Sequence, residues 1–251
     1  MITSANNSKI VYAKKLLQKK YRDELGKYLI EGIKLVSEAF CRNQKVDYII
    51  VKEDNLDKYN SFLQDKTFLV VNAKTFKSLT DAVNDQGILA VVFKPEIKLS
   101  LPTQKCLILE NIQDPLNMGA ILRTAAATGY NNVYTIDCAD PYSPKCMRAG
   151  MSAQFCLSIM SGAAQEILKL VKQKCKILCA DMKGEDIFTA KIETIHALLF
   201  GNEGSGVSEF ALSNCDKLIS LPMQNNLESL NVAVSAGVIM YTINYKSRLK
   251  A

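Results

Sequence analysis

The sequence predicts an α/β protein in two parts, and three observations carry that expectation. Apolar runs of strand length alternate with stretches of helix length along almost the whole chain. The alternation breaks once, at "KPEIKLSLPTQ" (residues 94–104), which holds two prolines and has no clear period. A chain of 251 residues with 48% hydrophobic content is enough for one large or two small cores. The expected organisation is a small α/β domain over residues 1–93, a linker over 94–104 and a second domain over 105–251.

In the first part, "KIVYAKKLLQKKYRDEL" reads as helix and "KYLIEG" as strand. "IKLVSEAFCRN" is an amphipathic helix with Ile33, Val36 and Phe40 on one side. Strand "VDYIIV", a polar helix near 55–65, strand "TFLVV", a helix from about Asn72 and strand "ILAVVF" complete a layered unit. The second part restarts with "CLILE", "MGAILRTAAATG" and "NVYTID", giving strand, helix, strand. "FCLSIM", the helix "AAQEILKLVKQK", strands "KILCAD", "HALLFG" and "KLISLP", and a final helix from about Leu230 follow. Apolar strands separated by helices of this length indicate a parallel sheet covered on both faces.

Charge is unevenly placed. Residues 1–98 carry seventeen Lys/Arg against twelve Asp/Glu, whereas residues 99–251 carry fourteen against thirteen. The first 27 residues alone hold seven basic against two acidic side chains, which suggests a polyanion partner or a solvated helix face. No apolar run reaches the ~18 residues of a membrane span, and no secretory signal is visible, so a soluble, cytoplasmic protein is expected. Most of the eight cysteines sit in apolar contexts such as "FCLSIM", no C-x-x-C occurs and His196 is the sole histidine. Reduced, mostly buried thiols and no metal site are therefore expected.

Ligands of parallel sheets bind at the carboxyl ends of strands, and three such ends here carry unusual chemistry. After "CLILE", Asp114-Pro115 suits a turn into a helix whose single charge is Arg123. A lone guanidinium there is either paired, with Glu110 or Glu203, or faces a cleft. After "HALLFG" runs Gly201-Asn202-Glu203-Gly204-Ser205-Gly206, a loop able to expose backbone N–H groups. It spaces its glycines like a phosphate loop, but Val207 stands where the phosphate-binding Lys would be, and it is not G-x-G-x-x-G, which argues against NTP hydrolysis and dinucleotide binding. After "KLISLP", the polar "QNNLES" precedes a helix for which Ser229 is a plausible N-cap. From Val232 to Met240 that helix is apolar on nearly every side, so it is expected to be buried all round, within the domain or against a second subunit.

Jointly, residues 106–246 resemble the SpoU/TrmH family of RNA ribose 2′-O-methyltransferases in the SPOUT superfamily. The N-x-G-x-x-x-R-T-A motif is matched by Asn117, Gly119, Arg123, Thr124 and Ala125, and G-x-E-G-x-G by Gly201, Glu203, Gly204 and Gly206. P-M followed by S-L-N-V is matched by Pro222, Met223, Ser229, Leu230, Asn231 and Val232. The front half, through "YLIEGIKLVSEAF", is similar to that family's substrate-binding domain, itself akin to kink-turn-binding ribosomal proteins.

The resemblance implies a deep trefoil knot, an exception to the rule that chains do not thread loops, and an obligate homodimer. It implies that S-adenosyl-L-methionine (SAM) is bound around Leu199, Gly201, Gly206, Leu221, Met223 and Leu230. It gives Arg123, Asn117, Glu203, Ser229 and Asn231 catalytic roles, with Arg123 either abstracting the ribose proton or clamping the adjacent phosphate. Because guanidinium stays protonated in proteins, the clamp leaves Glu203 or a phosphate oxygen to accept the proton. Lys14, Lys15, Lys19, Lys20 and Arg22, together with Arg123, are the expected RNA contacts. Ribosomal RNA is favoured over transfer RNA as substrate. A non-catalytic SPOUT relative is a rival reading, against which Arg123, Glu203 and Asn231 are all present; a base-methylating enzyme is another.

Overall fold

In the computed structural model, which describes residues 7–225, 227 and 229–249, the chain divides into two units. One comprises the chain up to Glu96 together with Asp140–Phe155; the other comprises Ile97–Ala139 and the chain from Cys156 on. The segment 140–155, which sequence order assigned to the second domain, thus belongs to the first unit. Residues 226 and 228 of the "QNNLES" stretch lie outside the described residues.

The first unit is built on a four-stranded sheet of β1 (Lys27–Glu31), β2 (Val46–Lys52), β3 (Phe68–Val71) and β4 (Ile88–Phe93), in the order β1-β4-β2-β3. β4 runs antiparallel to both β1 and β2, while β2 and β3 are parallel. Strand alternation sends Tyr28, Ile30, Ile49, Val51, Ile88, Ala90 and Val92 to one face, against α3 (Ile33–Cys41) and α4 (Leu56–Leu63). Leu29, Tyr48, Ile50, Leu89 and Val91 face α1 (Ser8–Lys15) and α5 (Ala73–Lys77) on the other. Both faces are covered, which explains why these strands read as continuous apolar runs rather than alternating ones.

Two expectations fail in this unit, and Arg22 takes part in both. The first helix is broken: α1 ends at Lys15 and α2 (Lys19–Leu25) starts anew. Arg22, expected among the RNA contacts, is 3% exposed. Its Nη1 donates to the Leu16 carbonyl (2.8 Å), a backbone acceptor in the break between the helices. Its Nε donates to Asp140 Oδ2 at 2.6 Å. The guanidinium is therefore a buried strut that ties the 140–155 segment down, not a phosphate contact. Tyr142 packs on Tyr28 with ring centroids 4.9 Å apart, and Arg148, in α7 (Pro144–Gly150), pairs with Glu31 (3.0 Å) and Asp81 (2.6 Å).

The second unit holds a six-stranded, wholly parallel sheet in the order β10-β8-β9-β5-β6-β7. Its strands are β5 (Cys106–Glu110), β6 (Asn132–Ile136), β7 (Ser158–Ser161), β8 (Lys176–Asp186), β9 (His196–Phe200) and β10 (Lys217–Ser220). Helix α6 (Pro115–Thr128) follows β5, α8 (Ala164–Val171) follows β7, and the short α9 (Glu209–Ser213) precedes β10. The last helix, α10 (Val232–Arg248), lies against α6, where Asn244 Nδ2 donates to the Thr128 carbonyl at 2.9 Å. α10 is not buried all round within the chain. It buries Ala236, Ile239, Met240 and Ile243, and leaves Val234 51%, Tyr241 56% and Tyr245 64% exposed.

All eight cysteines are free thiols; four are buried, and the Cys106 and Cys175 sulfurs lie 4.0 Å apart, unbridged. Among the described residues there is no group of three or more His, Cys, Asp or Glu placed to hold a metal ion, and no helix long and apolar enough to cross a membrane. His196 is buried at the start of β9. Its Nδ1–H donates to the Glu193 carbonyl (2.7 Å), so Nε2 is the acceptor for the Tyr130 hydroxyl (2.8 Å). Burial holds this imidazole below its ordinary pKa.

Removing one partner of the buried Arg22–Asp140 pair leaves an uncompensated charge, so Asp140→Ala is expected to lower unfolding free energy by about 3–5 kcal/mol in chemical denaturation. His196 gives a pH signature. Because its folded pKa is depressed, the unfolded chain binds the proton first as pH falls below about 6.5. Stability should therefore drop from that point downward, and His196→Gln, less stable at neutral pH, should show a shallower decline between pH 7 and 5.

Candidate active site

β5 and β9 are hydrogen-bonded neighbours, with Cys106 opposite Ala197 and Leu109 opposite Phe200. β6 and β7 extend the sheet to one side of them, β8 and β10 to the other. The loops after β5 and β9 therefore leave a point where the strand order reverses, which is where open parallel sheets place ligands. Glu110, buried at the end of β5, joins the two loops: it accepts from the Ser208 backbone N–H (2.8 Å) and hydroxyl (2.7 Å), while Ser208 caps α9.

Helix α6 opens as its sequence dictates, with Asp114 Oδ1 accepting from the Leu116 N–H at 2.9 Å and Pro115 in the first turn. That start sets Asn117 against the other two loops. Asn231, rather than Ser229, is the N-cap of α10; its Oδ1 accepts from the Ala233 N–H (2.9 Å) and the Val234 N–H (3.3 Å). The amide nitrogen of Asn231 is thereby left to donate, and it does so to Asn117 Oδ1 at 2.9 Å. Asn117 Nδ2 in turn donates to Glu203 Oε1 at 3.0 Å. The three residues form a one-way relay from the positive end of a helix to a carboxylate, each link fixing the orientation of the next amide.

Beside the relay lies a cavity of about 340 Å³. Gly201, Glu203 and Gly206 border it from one side, and Leu221, Met223, Ser229 and Leu230 from another. Of the residues expected to hold the cofactor, Leu199 alone does not line it. It is fully buried in the middle of β9 with Ile108 and Ile177, where any apolar strand residue would go. Gly201 has a steric reason: a Cβ there would meet the Gly206 and Val207 backbone at 2.4–2.5 Å, where the loop folds back on its own start and leaves no room for a side chain.

Arg123 is exposed on α6 and, among the described residues, forms no ion pair or hydrogen bond. Neither suggested partner holds it, since Glu110 is engaged by Ser208 and Glu203 by Asn117. The guanidinium is free of protein partners, and Arg123 is not among the residues that line the cavity. Sequence reasoning missed Asn202, Asp181 and Ser235, which also border the cavity. Asp181 and Ser235 sit within an apolar strand and an apolar helix, and Asn202 fills a variable position of the loop motif.

The SpoU rRNA Methylase family matches residues 104–241, and an MRM3-like substrate binding domain matches residues 7–90. The 23S rRNA (guanosine(2553)-2′-O)-methyltransferase RlmP of Bacillus subtilis (strain 168) is 31% identical over 243 residues, covering 96% of this chain and 97% of that protein. A putative RNA methyltransferase of the TrmH family from Porphyromonas gingivalis superposes with a TM-score of 0.85 at 25% identity, covering 98% of this chain and 100% of the other. The SpoU methyltransferase AviRb from Streptomyces viridochromogenes, in complex with AdoMet, superposes with a TM-score of 0.87 at 22% identity over 98% and 100% of the two chains. On the extent of these matches and the three motifs gathered at one strand-end cleft, this chain belongs to the SpoU rRNA methylase family.

Proposed function

We propose that this chain transfers the methyl group of SAM to a ribose 2′-hydroxyl of large-subunit ribosomal RNA. The observation that carries the reading is the relay from Asn231 through Asn117 to Glu203, set beside the cavity.

The cavity's lining fits SAM. Leu221, Met223, Leu230 and Ile239 offer apolar surface to an adenine ring, Gly204 and Ser205 sit in the loop beside it, and the carboxylates of Asp181 and Glu203 suit a ligand carrying positive charge. When bound there, SAM supplies an electrophilic methyl group on a sulfonium. The chain's own task is positioning: holding the 2′-oxygen in line with that methyl and taking up its proton. Asn117 and Asn231 keep the Glu203 carboxylate oriented as acceptor, so Glu203 receives the ribose proton. Arg123, free of protein partners, clamps the phosphate beside the target ribose as a bidentate fork. The trefoil knot belongs to the same reading, supported by membership of the SpoU family. The exposed apolar stripe of α10, with Val234, Val238 and Tyr241, supports a homodimer.

The first unit supplies RNA affinity. Lys14, Lys15, Lys19 and Lys20 are all exposed on α1, on α2 and at their ends, whereas Arg22 is excluded by burial. Kinship with an enzyme acting on 23S rRNA favours ribosomal over transfer RNA.

Labelled SAM offered with unmodified large-subunit rRNA and with bulk tRNA should leave label in a 2′-O-methylated nucleoside of the rRNA. Arg123→Ala should lower kcat by about 10²–10³ with folding unchanged. Arg123→Lys keeps charge without the fork and should stay low at every pH; activity that recovers as pH rises would instead make Arg123 the base. Label in the tRNA alone would redirect the substrate assignment. Neutralising Lys14, Lys15, Lys19 and Lys20 together should weaken RNA binding and reduce the slope of log Kobs against log salt by roughly three; an unchanged slope would remove them from the RNA interface.

A further inference from the structure

We propose that Asn202 is the positioning residue that shapes the glycine-rich loop for the cofactor and aims Glu203 at the ribose. The catalytic half of this inference rests on the methyl-transfer reading above. The Asn202 side chain uses both ends of its amide. Oδ1 accepts from the Gly204 N–H (2.9 Å), the Ser205 N–H (3.0 Å) and the Ser205 hydroxyl (3.2 Å), which folds residues 202–205 around one oxygen. Nδ2 donates to the Asn111 carbonyl (2.9 Å) and reaches Glu203 Oε2 (3.4 Å). The Asn202 backbone pairs with Gly206 in both directions, at 2.9 and 3.0 Å, closing the loop at its base.

The two ends act on different parts of the site. The oxygen organises the stretch that borders the cavity. The nitrogen ties that stretch to Asn111, which leaves β5 in the left-handed region (φ 54°) and is gripped in turn by Gln113 Nε2 through its Oδ1 at 2.6 Å. Glu203 is thus held at both carboxylate oxygens, one by Asn117 across the cleft and one by Asn202 beside it. Only a neutral amide serves both ends: a carboxylate would place an oxygen against the Asn111 carbonyl and the Glu203 carboxylate, and a hydroxyl is too short to span them.

The division of labour predicts that two variants separate. Asn202→Asp keeps the acceptor for Gly204 and Ser205 and loses the donor. SAM binding by calorimetry should stay within about threefold of wild type, while kcat should fall by roughly 100-fold and KM for RNA should not change. Asn202→Ala removes both ends and should lose kcat similarly while also weakening SAM by roughly tenfold. Near-wild-type kcat and SAM affinity in both variants would overturn the inference, as would a rise in RNA KM with kcat unchanged. If the wild type binds SAM but methylates no RNA offered, the methyl-transfer reading fails, and the SAM affinities still decide the loop half: equal affinity in wild type and Asn202→Ala refutes it. Thermal unfolding of both variants, each altering a surface loop, verifies that the comparison is between folded proteins.

Discussion

Parallel pairing of β5 with β9 sets two strands that are about ninety residues apart in sequence into one register, so the loops that follow them leave the sheet side by side. Everything at the cleft inherits its position from that pairing. Glu110 bridges to Ser208 across it, Asn202 reaches Asn111 across it, and Asn117 meets Glu203 one turn further on. None of these contacts is local in sequence. They are polar bonds between groups that the main-chain ladder has already brought within reach, so the entropy of bringing them together is borne by the sheet.

The relay shows how little freedom remains once the ladder is in place. An amide can point either way, and an isolated pair of asparagines would sample both. Here the N-terminus of α10 supplies only donors and Glu203 only acceptors in its ionised form, so the two asparagines between them have a single arrangement that leaves no group mismatched. Capping a helix and orienting a carboxylate are one act. Ser229 lies two residues before the cap position, and a serine at the cap itself could satisfy the helix but would have no amide to donate to Asn117.

Most of the fold was legible because strands and helices announce themselves through period and composition. "CLILE", "NVYTID" and "HALLFG" became β5, β6 and β9, the last two each one residue shorter, and the site loops followed once the strands were placed. What was not legible came from contacts distant in the sequence. Nothing local in residues 140–155 says that they belong with the first unit; that depends on Asp140 meeting a guanidinium 118 residues earlier. Leu199 sits two residues before the cavity's Gly201 and looked like part of its wall, yet the alternation of a strand buried on both faces consigns it to the core. Asn202 was hidden because its importance lies in five hydrogen bonds rather than in any pattern of residue types.

Two arginines make the limits of charge reading concrete. Arg22 stands in the densest basic stretch of the chain, beside Lys19 and Lys20, and composition places it with them on a polyanion-binding face. Arg123 stands alone in an Ala- and Leu-rich helix, where a cation looks costly. The structure overturns the first expectation, and it leaves the second cation in solvent and unpaired. Arg22 is the desolvated one, and its pairing with Asp140 and the Leu16 carbonyl is what makes burial tolerable. Arg123 lies on the solvent side of α6, so its charge costs nothing to keep and its removal leaves no buried group unsatisfied. The fold makes no demand for a guanidinium at that position. A cation that the fold does not require is left available for the role proposed for it, clamping the phosphate beside the target ribose, whose oxygens a fork of N–H donors matches.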